Sequence, residues 1–401
     1  TQTYSGAVVL GRNTTLTSSG DVITFSNTVN SDGSTNRNLT VTTGGNTVHI
    51  NFDGIVGGSQ GLGAIALRGV LDLNAAIADA NSLTVTGVSL LDADVTTSGN
   101  QTYSGAITLG TAARTLAGST IQTVAVDGAQ NLTITGNLDL NGAITQVAVF
   151  AVSGTTDLGA NVTTTGTQTY SGAVTLSADV TLTSSDDNFT FSSTVDSADS
   201  TARDLTLSAG SGTIGISNAI GGIQELDLIT ITQSGGVTFS DAINADTVTL
   251  TDTTGSVTFA GSTALETLNT ASQDYNVILN GDSNAITDAV TFSNTGYVTL
   301  VSGGDTSVFT GGVTAAIPSQ INIGGTVQST NTAIVLGASG SHVIVLTANS
   351  TISGNTSGAI SLNGTVNGAY TLTLNSTAAT TFAATVGNSA PLTAITTNSG
   401  G

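Results

Sequence analysis

Apolar residues alternate with threonine or serine along most of the chain, as in SLTVTGV at 82–88, NLTITGNLDL at 131–140, TVTLT at 247–251, YVTLV at 297–301 and YTLTLNS at 370–376. A period of two puts every second side chain on one face, the mark of a strand with one buried side. β-Branched residues favour that pleated surface. Between these segments lie GG, NG, SG and DG pairs, which are turn chemistry. Strand signals recur about every 8–12 residues. The best helix candidate, LNAAIADANSL near 71–83, is answered in its own duplicate by LNGAITQVAVF, whose glycine and β-branched residues argue for strand.

The repeats decide the fold class. QTYSGA begins at Gln2, Gln101 and Gln168. Residues 2–44 match 168–210 without a gap, with 26 of 43 positions identical; residues 71–110 match 138–177, with 22 of 40 identical. A unit of about 20 residues holds two or three strands and cannot bury its own apolar face, so neighbours must stack. The expectation is an all-β chain folded as a parallel, right-handed β-solenoid of about 20-residue rungs, one continuous array over 1–401. Offsets of 67 and 166 then stand for whole rungs, which predicts Tyr4, Tyr103 and Tyr170 in one column on one face. The structural rival is a string of antiparallel β-sandwich modules. The first QTYSG copy lacks the VTTSGN or VTTTGT that precedes the other two, and the end has no capping character. Both boundaries are therefore expected to cut through a longer protein.

Composition agrees with a stacked array. Of 401 residues, 50 are glycine and 2 are proline; charged residues are 8% and hydrophobic residues 38%, enough for a core. Proline would delete a ladder hydrogen bond. The chain carries 26 acids against five arginines, Arg12, Arg37, Arg68, Arg114 and Arg203, for a net charge of −21. That field repels nucleic acid and anionic lipid and keeps a long β-structure soluble. Scarce Lys and Arg leave few tryptic sites, which suits an exposed location. Without cysteine there is no disulfide, thiolate metal site or cysteine nucleophile. No run of 18 apolar residues offers a membrane-spanning helix, and no membrane insertion is expected.

Strings such as NLTITGNLDLNGAI and DLGANVTTTGTQTYSGAVTLSADVTLTSS resemble the repeat regions of filamentous-haemagglutinin-like and autotransporter-type giant bacterial adhesins. The resemblance runs to about residue 300 and more loosely beyond. It implies a right-handed parallel β-helix, export to the bacterial cell surface, and a role in adhesion, matrix or surface coats. A solenoid with unpaired backbone groups at uncapped ends is expected to associate with copies of itself, end to end or side by side; host or matrix glycans are the other expected partners.

Candidate chemistry is sparse. His49 and His342 sit mid-strand with no Asp or Glu at a useful spacing, so neither reads as a general base or metal ligand. β-Helix polysaccharide lyases pair carboxylates with Lys or Arg; lysine is absent here, and Arg37 recurs as Arg203 in a duplicate, as structural residues do. No enzyme activity is expected. Calcium is the functional alternative, in a calcium-dependent matrix or S-layer-like module. Its oxygen ligands would come from Asp92, Asp94, Asp186, Asp187 and Asp282, although no GGxGxDxUx or EF-hand loop is present. Sequons at Asn13, Asn38, Asn100, Asn131 and Asn188 are what chance yields in a chain this rich in Asn, Ser and Thr. The repeated tyrosines are expected to pack in the core or at corners rather than form an exposed adhesive stripe.

Overall fold

The computed structural model describes residues 1–33, 35–339 and 341–398. They form short strands with no helix among them, and the strand pairings are parallel. The chain is therefore a parallel β-solenoid, not a string of antiparallel sandwiches. It falls into two compact units, Thr1–Asp187 and Asn188–Gly401.

In the first unit each rung has three faces. Face A runs from Gln2–Tyr4 to Val180–Thr183, face B from Val8–Leu10 to Gln168–Tyr170, and face C from Thr14–Thr17 to Val174–Leu176. Between Leu71 and Ile107 the spacing is regular. Leu71, Ile77, Leu83, Ser89, Val95, Gln101 and Ile107 follow one another every six residues, on faces A, B, C, A, B, C and A, each fully buried. A six-residue step holds a short strand and a corner. Being even, it returns the chain to the same in–out phase. Three steps close a rung of 18 residues, as in the stacked column Leu67, Val85, Tyr103.

This spacing corrects the reading of the duplications. Tyr4 belongs to face A, in the column Tyr4, Phe25, Phe52, Leu73, Leu91 and Leu109. Tyr103 belongs to face C, in the column that continues through Thr123, Leu140, Leu158 and Leu176. Tyr170 belongs to face B, above Val152, Ile134, Leu116 and Val95. The three tyrosines do not share a column. Whole rungs are not required, because a shift by one face rotates a copy about the axis while each inward residue stays inward.

The second unit stacks in the same way with longer corners. Phe189, Ile214, Val237, Val257, Val277, Val298, Ile321, Ile344, Val366 and Val386 form one column at spacings of 20 to 25 residues. Aromatic rings stack along the columns of both units: Phe25 on Phe52 with centroids 5.0 Å apart, and Phe239 on Phe259 at 5.0 Å. Burying a Val, Leu or Phe contributes about 1.5–3 kcal/mol. No rung can realise that gain alone, because the residue that covers each side chain lies one rung away.

Close backbone approach controls the corner between faces B and C. Gly99, Gly118, Gly136, Gly154 and Gly172 stack there on successive rungs, and a Cβ on one would meet the carbonyl of the glycine below, as at Gly154, whose Cβ would lie 2.5 Å from the Gly136 oxygen. Gly154→Val is expected to cost about 1–3 kcal/mol or more, because backbone must move to admit it, while Gly6→Ala is neutral, its position being open. Urea unfolding midpoints of the two variants check the contrast.

Candidate functional site

The repeated QTY motif is a corner clamp. In the second copy the Tyr103 hydroxyl donates to Gln101 Oε1 at 2.9 Å, and Gln101 Nε2 donates to Val95 O at 3.2 Å, Thr97 Oγ1 at 3.4 Å and Ala117 O at 2.8 Å. The third copy repeats this set: Tyr170 to Gln168 Oε1 at 2.9 Å, and Gln168 Nε2 to Val162 O, Thr164 Oγ1 and Thr183 O at 3.3, 3.2 and 2.9 Å. Each glutamine thus ties the strand before it to the next rung, across a different corner of the same unit. All four side chains are buried. In the first copy Tyr4 donates to Gln2 Oε1 at 3.1 Å, and Gln2 Nε2 donates to Thr17 O at 2.8 Å. The tyrosines are therefore core and corner residues, as expected, and not a surface stripe.

Corner asparagines carry the backbone ladder where the strands break. Asn13 Oδ1 accepts from Asn38 N at 3.0 Å, Asn38 Oδ1 from Ala64 N at 2.9 Å, Asn131 Oδ1 from Val149 N at 3.2 Å, and Asn188 Oδ1 from Thr213 N at 2.7 Å. Four of the five sequon asparagines are these caps. A cap, then an inward residue, then an outward threonine spells N-x-T, so the fold itself writes the sequon. The fifth, Asn100, lends its backbone carbonyl to Leu83 N at 3.1 Å, as Asn38 and Asn131 lend theirs to Thr14 N and Arg114 N at 2.9 Å.

The calcium candidates are dispersed. Asp94 Oδ1 accepts from Thr115 N at 2.9 Å, and Asp92 Oδ1 from Thr111 N at 3.4 Å, with Arg114 Nη2 3.8 Å away. These two cap the next rung as asparagines do. Asp186 sits in a turn with φ 71°, and Asp187 closes that turn by donating its N–H to Ser184 Oγ at 3.3 Å. Asp282, in the second unit, is exposed, and its carbonyl accepts from Thr306 N at 3.4 Å. Among the described residues no group of three or more His, Asp or Glu is placed to hold a metal ion.

Several other charged groups serve structure. Arg114 is buried, with Nε donating to Leu91 O at 2.9 Å and Nη1 to Ala113 O at 2.8 Å. Arg37 and Arg203 repeat one local arrangement: each backbone N–H donates to a serine hydroxyl, Ser31 at 2.8 Å or Ser197 at 3.0 Å, and each side chain pairs with an aspartate, Asp32 or Asp199. Arg37 and, through hydrogen bonds from Thr201, the turn around Asp199 hold these two carboxyls below the usual range. His49 does have an acidic neighbour, which sequence distance hid: Asp72, one rung on, places Oδ2 3.5 Å from Nδ1. His342 Nδ1 lies 3.4 Å from Ser339 Oγ. Surface grooves follow the rungs, one lined by Asn137, Asp139 and Asp157 and another by Glu225, Asp246 and Glu266. Asp139 is engaged by Gln122 and Asn141 at 2.9 and 2.8 Å.

A recurring loop escaped the sequence reading. In VGGSQ at 56–60, IGGIQ at 220–224 and VGNSA at 386–390 a glycine turns the chain at φ 76°, 65° and 71°, a conformation that favours glycine. A side-chain oxygen one rung below, on Asn30, Asp196 or Asn367, accepts the N–H groups two and three residues after that glycine. The shared phrase, an apolar residue followed by glycine and then glycine or asparagine, was the available signal.

No family model, curated protein or solved structure matches the chain.

Burial pushes the hydroxyl pKa of Tyr103 and Tyr170 far above its ordinary value of 10.0, and that of Tyr275 up to about 12. The folded state keeps these protons while the unfolded chain releases them. Their contribution is complete below about pH 10 and is lost as pH rises further, by about 1.4 kcal/mol per pH unit for each tyrosine. Urea unfolding between pH 9 and 11 should show this fall, and Tyr103→Phe should make it shallower.

Proposed function

We propose that the chain is a non-catalytic structural or adhesive segment of a secreted bacterial surface fibre, supplying length and a repetitive polar surface to an extracellular assembly of its own copies. The observation that carries this reading is where the polar side chains go. Gln101, Gln168, Asn13, Asn38, Asn131, Asp94 and Arg114 all bond to backbone of a neighbouring strand or rung, so they hold the stack together. Residues bound in this way are not poised to move protons or attack a substrate. The outward positions left between them are mostly Thr, Ser and Asn, a surface suited to many weak contacts with glycans or with like surfaces. The strings that resemble adhesin repeats point the same way, and the net charge of −21 argues against nucleic acid as a partner.

The test is turnover together with metal dependence. Pure protein incubated with acidic polysaccharides should release neither reducing ends nor unsaturated products, and its melting temperature should not change when a chelator is added. Product release that disappears on replacing one aspartate would overturn the reading. A large chelator-induced fall in melting temperature would replace it with the calcium-dependent matrix module.

A further inference from the structure

Charge is unevenly spread in the unit Asn188–Gly401. Its Asp, Glu and Arg residues all lie at or before Asp305, and from 306 onward the sequence has none of them and no lysine. Four consecutive rungs of that stretch build one sheet, from the strands Thr306–Phe309, Thr326–Ser329, Ser350–Ser353 and Thr371–Asn375. Their pairing runs without a register slip and sets Thr306, Thr326, Thr351 and Thr373 in one outward column. The outward column beside it reads Val308, Gln328, Ser353 and Asn375. These side chains are half-buried or exposed, while Phe309, Val327, Ile352 and Leu374 on the same strands are buried. Among the described residues none of the four threonine hydroxyls has a hydrogen-bond partner. Carboxylates return at Asp305, beside Thr306, and one rung earlier at Asp282.

We propose that this uncharged sheet of one copy docks on the same sheet of a second copy, a lateral contact between like surfaces. The proposal rests on the fibre reading and names the face on which copies meet side by side. Charge selects the occupant. At a net charge of −21, two copies repel wherever their carboxylates face one another. Over these four rungs neither copy presents a charge. Period selects the occupant as well. The hydroxyl column repeats once per rung, about every 4.8 Å. A second copy carries the same column at the same repeat, so a contact made at one rung is made again at the next. One patch meeting its own counterpart is the self-complementary kind of interface. Four strands at about 4.8 Å and four residues at about 3.3 Å give a face of roughly 19 by 13 Å. That is smaller than a standard interface, so the contact is weak and reversible.

Sedimentation velocity on the full chain, from about 10 μM to 1 mM, where contacts of millimolar to micromolar Kd become visible, tests it. Association that rises with concentration is expected. Thr351→Glu and the isosteric Gln328→Glu set like charges against each other inside the contact, and each should weaken it about tenfold or more. Thr102→Glu adds the same charge on an outward position of face C in the first unit and should associate like the parent. All three positions point outward, so an unchanged circular-dichroism melt separates lost docking from lost folding. A chain that stays monomeric throughout overturns the contact. So does association that Thr351→Glu and Gln328→Glu leave unchanged, or that Thr102→Glu weakens equally. A monomer whose retention on a neutral polysaccharide column falls with Thr351→Glu overturns it too, and gives the face to glycans. None of these results removes the fibre reading, since that reading falls to catalytic turnover, which sedimentation does not register.

Discussion

The structure depends on one constraint: every strand must find its backbone hydrogen bonds on the rung before and the rung after. A strand of three residues, such as Gln101–Tyr103, has no stability of its own. Parallel pairing at about 4.8 Å stacks like on like, so inward positions become columns of Val, Leu, Ile and Phe. Outward positions become columns of Thr and Asn. The corners are where this constraint is hardest to meet, because strand pairing stops there while backbone groups remain. Glycine columns, asparagine caps and the QTY clamps all stand at corners and meet the same need.

This ordering explains why polar residues are plentiful while chemistry is scarce. A buried glutamine or tyrosine is costly unless its hydrogen bonds are made. At Gln101 and Tyr103 they are made to each other and to three backbone or hydroxyl acceptors. Asp92 and Asp94 had the residue type of calcium ligands. Their positions at a corner turn them toward the N–H groups of the next rung instead.

Much of the fold was legible. Alternation marked the strands, and the duplications at offsets of 67 and 166 residues marked a stacked array rather than separate modules. The face on which each copy lies was not legible, because sequence alignment counts residues and not corners. Corners in the first unit lengthen and shorten: inward residues step by four from Val85 to Ser89 but by three from Thr123 to Val126 across the same corner two rungs on. Only the strand register shows that Tyr103 and Tyr170 occupy different faces. The clamp partners were hidden for a related reason. Ala117 and Thr183 lie 16 and 15 residues beyond their glutamines, one rung minus one corner, a distance with no meaning until the rung length is known. The pairing of His49 with Asp72 was hidden likewise.

Because the chain has no cysteine, introduced pairs report register directly. Thr84 and Thr102 are outward neighbours on adjacent rungs of face C, and parallel pairing brings their Cα atoms within the 4.4–6.8 Å that a disulfide spans. Thr102 and Thr169, equivalent in sequence, lie on faces C and B. The account predicts that Thr84→Cys with Thr102→Cys forms an intramolecular disulfide on mild oxidation, whereas Thr102→Cys with Thr169→Cys does not. Failure of the first pair to cross-link, or ready cross-linking of the second, would contradict it.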